Sequence, residues 1–123
     1  MYDDNNIFAK ILRKAIPCDK VHEDEFSLFF NDINPQAKIH VLGIPKFSCT
    51  TFSDFLKNAD NENMTSFFKS VQFVINDIYI ENTGYRLITN WGEDGGQEVP
   101  HFHIHILAGE KIGSLRWIIV SLL

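Results

Sequence analysis

An α+β domain built on an antiparallel sheet is the architecture this sequence predicts, and three observations carry that prediction. The chain has 123 residues, the size of one domain with one core. Its strand-like runs come in adjacent groups joined by short turns, not alternating with helices as a βαβ repeat would. Between those groups lies one long stretch with apolar residues at helical spacing.

The elements follow in order. In NNIFAKILRKAI, Ile7, Phe8, Ile11, Leu12 and Ala15 recur at helical spacing; Asn6 is the expected N-cap and Pro17 the expected stop. KVHEDE and FSLFFND read as two strands around an acidic turn at Asp24. NPQA (Asn34 to Ala37) is a turn, and KIHVLGIP (Lys38 to Pro45) is a third strand. TTFSDFLKNA predicts a short helix. A long helix is expected over Asn63 to Glu81, with Met64, Phe67, Phe68, Val71, Val74, Ile75 and Ile78 on its buried stripe and TG ending it. YRLITN (Tyr85 to Asn90) is a fourth strand, WGEDGGQE a glycine-rich loop, and VPHFHIHIL (Val99 to Leu107) a fifth strand. The tail GSLRWIIVSLL fits a strand, a helix or an arm equally well.

Composition narrows the class. With 45% hydrophobic and 22% charged residues the chain reads as globular, and 11 Phe suggest a ring-rich core or an apolar pocket. A net charge of −5 offers no electrostatic footprint for nucleic acid or an anionic membrane. Cys18 and Cys49 lie far apart with no CxxC, which argues against a disulfide framework and a thiol-rich zinc site. The N-terminal MYDDNNIFAK does not resemble a signal peptide, and WIIVSLL is too short to cross a bilayer. The expectation is a cytoplasmic protein of one domain, residues 1–123.

The chemistry concentrates in VPHFHIHIL. Strand side chains alternate faces, so His101, His103 and His105 share one face while Phe102, Ile104 and Ile106 take the other. Three readings compete. The row is a solvated polar face, a metal site aided by His40, or an acid–base and nucleophile cluster for phosphoryl chemistry. Same-face residues are about 6.5–7 Å apart along a strand, so three in a row reach one ion poorly. The preceding loop favours phosphoryl chemistry. Gly92, Gly95 and Gly96 would let backbone N–H groups approach an anion, and Asn90 and Gln97 add neutral donors. Upstream, Asp32 is a candidate for ribose hydroxyls or a turn cap, and His40 alternates with apolar neighbours.

HFHIHIL resembles the H-x-H-x-H-x-x signature of the histidine triad (HIT) superfamily. NDINPQAKIHVLGIPK, GYRLITNWGEDGGQEVPHFHIHILAGEK and IFAKILRKAIPCDKVHEDE resemble its nucleotide-binding branch, the purine nucleoside phosphoramidases. The resemblance is strongest over residues 6–111 and fades in the divergent tail, 112–123. It implies a HIT-like fold: a five-stranded antiparallel sheet with one long and several shorter helices, dimerised through the long helix and a sheet edge. It implies hydrolysis of a purine nucleoside 5′-phosphoramidate, an AMP or GMP derivative, without cofactor or metal. His103 would be the nucleophile and His101 its orienting neighbour. His105, Asn90 and Gln97, with the backbone from Gly96 through Glu98 to Val99, would hold phosphate. His40 would complete the network and assist proton movement to the leaving amine. Asp32 and Ile33 would hold the ribose; Ile7, Phe8, Ile11, Phe30 and Leu42 would wall the base. Three positions depart from or strain the pattern: Glu98, where some members carry Ser or Thr; Pro100, which removes a backbone donor; and the bulky Trp91. In relatives the tail can reach the partner's site, which makes Trp117 a candidate for that contact. Dinucleoside polyphosphate hydrolysis and a non-catalytic nucleotide-binding role stay open beside phosphoramidate cleavage.

Overall fold

The computed structural model describes residues 1–97 and 99–115. The first helix, α1 (Ile7–Leu12), starts where Asn6 Oδ1 accepts from the Ala9 N–H at 2.9 Å. It ends before Pro17 matters. Lys14 takes a left-handed φ of 65°, and the Ala15 N–H closes onto the Lys10 carbonyl.

β1 (Lys20–Glu23) and β2 (Ser27–Asn31) flank the expected acidic turn. Asp24 holds it: Oδ1 accepts from Phe26 N–H and Ser27 Oγ, and Oδ2 from His22 Nε2 and from Ser70 Oγ on the long helix. β3 (Ile39–Pro45) follows, then α2 (Phe52–Asn58) and α3 (Asn61–Asp77). α3 begins two residues earlier than the periodicity indicates because Asp60, not a later residue, caps it through Asn63 N–H. It stops before TG, where Tyr79 adopts a φ of 62°. Of the expected stripe, Phe67, Val71, Val74 and Ile75 are buried; Phe68 is exposed, and Met64 and Ile78 only pack against the core's edge.

β4 (Tyr85–Ile88), the short helix α4 (Gly92–Gly95) and β5 (Ile104–Ala108) complete the elements among the described residues. The sheet is five-stranded, ordered β1-β2-β3-β5-β4, with every neighbouring pair antiparallel. Its two faces carry different loads. One packs Phe29, Val41, Ile104 and Ile106 under α2 and α3, with Phe55, Phe67 and Phe102 between the layers. The other packs Leu28, Phe30, Leu42 and Ile44 against Phe8 and Ile11 of α1. Gly43 is required on β3: it pairs with Phe29 of β2, and a Cβ there would run into the Phe29 ring.

Candidate active site

β5 is shorter than the sequence pattern indicates, and its late start divides the histidines. Pairing begins at Ile104, so only His105 belongs to the sheet; His101 and His103 lie in the lead-in. Pro100 has no N–H to offer a ladder. The lead-in bonds elsewhere: His101 N–H to the Val99 carbonyl, Phe102 N–H to the Cys49 carbonyl, and Thr89 Oγ1 to the His103 carbonyl.

Main-chain partners assign the proton on each ring. The Pro45 carbonyl lies 2.8 Å from His101 Nε2, and a carbonyl only accepts, so Nε2 carries the proton. His101 is fully buried, and burial holds it down to about 4, so it is neutral at pH 7. The carbonyl of His101 lies 2.7 Å from His103 Nδ1, which must therefore donate. That places the His103 lone pair on Nε2, the opposite nitrogen. Phe8 packs edge-on against this ring at 4.9 Å and against Phe30 at 5.6 Å, which joins the α1 cluster directly to the histidines.

His40 and His105 form a second pair. On the sheet His105 opposes Leu42, so His40 is its diagonal neighbour on the same face, and the rings meet with Nε2 of His40 2.9 Å from Nδ1 of His105. The Gln36 N–H donates to His40 Nδ1 at 3.0 Å. His40 therefore carries its proton on Nε2 and gives that hydrogen bond to His105, leaving the His105 proton on Nε2 as a donor. Burial lowers the pKa of His40, with Asp32 opposing, and burial holds His105 down to about 4. His105 is thus a neutral donor suited to a phosphate oxygen.

Asp32, His40 and His105 bring three ligand atoms within 4.8 Å of one another, which raises the question of a metal. The hydrogen bonds answer it unfavourably. Coordination through His40 Nε2 would force the proton to Nδ1, against the Gln36 N–H. The same bond fixes the tautomer in which His40 donates to His105.

The remaining expected residues divide. Phe8, Ile11, Phe30 and Leu42 form one apolar cluster, with Val99 packed against it. Ile7 faces outward at 45% exposure and is not brought into it. Asp32 is half-buried, 3.5 Å from His40 Nε2, with Oδ1 accepting from Asn34 N–H. Ile33 is exposed at the turn. Asn90 is half-buried, and Gln97 donates to the Thr50 carbonyl at 2.8 Å. The glycine-rich loop is not the open cradle the sequence suggests. Residues 92–95 form a helical turn closed by Gly96 at φ 73°, and the N–H groups of Gly96 and Gln97 bond to the Glu93 and Gly92 carbonyls. Those two N–H groups are therefore engaged within the loop itself. Trp91 is exposed. Glu98 and Trp117 lie outside the described residues.

Sequence reasoning missed Tyr2, whose hydroxyl bonds to His101 Nδ1, and Gln36, whose N–H sets His40. Neither carries a signal in spacing, because one acts across the whole chain and the other through its backbone.

The buried rings predict acid lability. In the unfolded chain an imidazole titrates near ~6.5. His101 and His105 titrate lower when folded, so the unfolded state binds more protons between those values. Their stabilisation is present above about pH 6.5 and lost as pH falls toward 4. A second loss follows from Asp24. Burial alone would raise its carboxyl, but hydrogen bonds from Ser70, Phe26 N–H, His22 and Ser27 outweigh that and bring it to about 2. Its contribution is present above about pH 4 and lost toward 2. Urea midpoints measured against pH should fall in these two windows, and Asp24→Asn should flatten only the lower one.

The HIT domain family model matches residues 13–112. The chain is 46% identical to a HIT-like protein of Azospirillum brasilense, covering 93% of each. It is 39% identical to the purine nucleoside phosphoramidase of Escherichia coli K12, covering 91% of this chain and 93% of that one. Among solved structures, a HIT family hydrolase from Legionella pneumophila superposes with a TM-score of 0.83 at 36% identity, covering 90% of this chain and 98% of the other.

Proposed function

Because the chain belongs to the HIT domain family, we propose that it hydrolyses the P–N bond of purine nucleoside 5′-phosphoramidates through a nucleotidyl-histidine intermediate. The observation that carries this reading is the 2.7 Å bond from His103 Nδ1 to the His101 carbonyl, which assigns the lone pair to Nε2. In the first step that lone pair attacks the α-phosphorus, an N–P bond forms, and the P–N bond to the amine breaks as the departing nitrogen takes a proton. In the second step water attacks the same phosphorus, the His103–P bond breaks, and AMP or GMP leaves with the ring neutral again. Splitting one hard displacement into two easier ones is the reason for a covalent intermediate. His105 Nε2–H, with Asn90 and Gln97, would hold the phosphate; Asp32 would accept the ribose hydroxyls beside Ile33; the cluster around Phe8 and Phe30 would take the purine.

The proposal includes a cytoplasmic homodimer without cofactor. Among the described residues no helix is long and apolar enough to cross a membrane. The test is to quench the protein during turnover of adenosine 5′-phosphoramidate and weigh it. We expect AMP release and an added nucleotidyl mass on His103. Preferential cleavage of diadenosine polyphosphates would move the assignment to that activity. Tight AMP binding with no turnover would replace the enzyme by a nucleotide-binding regulator.

A further inference from the structure

We infer that Tyr2 is a positioning residue of the triad: its hydroxyl fixes the His101 ring, and through the His101 carbonyl it fixes the proton on His103. The kinetic part of this inference rests on the phosphoramidase reading; the structural part does not.

His101 is completely buried and neutral, with its Nε2 proton taken by the Pro45 carbonyl. Its Nδ1 lone pair then needs a donor, because an unpartnered acceptor in a dry site is costly. The Tyr2 O–H supplies it, with the phenol ring edge-on to the imidazole at 5.6 Å. The segment that carries Tyr2 is tied down for the purpose. Asn6 bonds twice to the Asp3 carbonyl, Asn5 N–H bonds to Asp3 Oδ1, and Arg13 Nη1 reaches back from the end of α1 to the Asp4 carbonyl. The same Asn6 caps α1, so the helix that lines the apolar cluster and the loop that holds Tyr2 share one anchor. Burial pushes the phenol up, so it stays a donor at neutral pH. Around these rings the other titratable groups are Asp4, whose carboxylate also favours the neutral phenol, His103 and Cys49; burial pushes the Cys49 thiol up to about 12, so it too is uncharged.

Without the hydroxyl, His101 can satisfy Nδ1 only by taking a proton or by shifting its ring. Either change disturbs the carbonyl that His103 donates to. The His103 proton can then move to Nε2, the nitrogen that must attack.

The experiment is Tyr2→Phe in the full chain, with Tyr85→Phe as control; Tyr85 lies exposed on β4. In ¹⁵N-histidine NMR spectra we expect His101 of Tyr2→Phe to take up its proton about one pH unit higher than wild type, since the neutral form has lost a hydrogen bond worth about that much. With adenosine 5′-phosphoramidate, kcat should drop about five- to tenfold while KM stays within about twofold, because nothing proposed to touch nucleotide has changed. The control should move neither. An unchanged His101 titration would overturn the inference, as would a kcat loss that only parallels a loss of thermal stability. If the wild type releases no AMP, the phosphoramidase reading fails, and the titration alone decides the part assigned to Tyr2.

Discussion

His103→Ala should reduce AMP release from adenosine 5′-phosphoramidate about 10⁴-fold or more, with the protein still folded. A loss of that size is expected for a nucleophile, whose removal leaves only binding and electrostatic stabilisation. The structure makes the substitution a clean probe. His103 lies in the lead-in to β5, so its removal breaks no ladder pairing. Its ring contacts include Phe8 and His105, and Phe8 retains Phe30; the Nδ1 bond to the His101 carbonyl goes with the ring. On the proposed reading nucleotide binding should survive, because Asp32 is untouched and Phe8 keeps its contact with Phe30. Steady-state kinetics and AMP titration on the same sample separate the two. A variant that retains more than about a tenth of wild-type turnover would remove His103 from the nucleophile's place.

The largest effect on stability is expected far from the triad. Phe67 is 0% exposed on α3 and meets four rings, Phe29 on the sheet, Phe55 on α2, Phe68 on its own helix and Phe102 before β5, at centroid distances of 5.3–6.1 Å. Phe67→Ala removes apolar burial and leaves a cavity that four stiff rings cannot close. The cost should be about 3–5 kcal/mol, a large share of the roughly 5–15 kcal/mol that holds an ordinary domain. Urea unfolding should show a lower midpoint with an unchanged slope. A loss below about 1 kcal/mol would mean that the rings repack. Phe102 connects this core to the site, since it anchors the segment between His101 and His103.

What the sequence made legible was periodic. The alternation in KIHVLGIP and HIHIL marks β3 and β5, and the i, i+4 spacing of Phe67, Val71 and Ile75 marks α3. The ends were less legible because single residues decide them by adopting conformations that no period announces, Lys14 after α1 and Tyr79 after α3. The row of histidines was visible, and its family resemblance named the chemistry. Its division into a paired residue and two lead-in residues was not, because that depends on where the Thr89 hydroxyl and the Cys49 carbonyl fall in space. The glycine loop misled for a similar reason: composition shows which backbone groups could meet an anion, but not that Gly96 and Gln97 use theirs to close a turn.

The Gln36 amide that sets His40 closes the Nδ1 side of the paired rings to proton traffic. His40 can hand its Nε2 proton onward only by becoming an anion, since an amide N–H cannot refill Nδ1 with a proton of its own. His105 therefore draws no proton through the far nitrogen of His40. On the proposed reading, the proton for a departing amine does not come through Gln36.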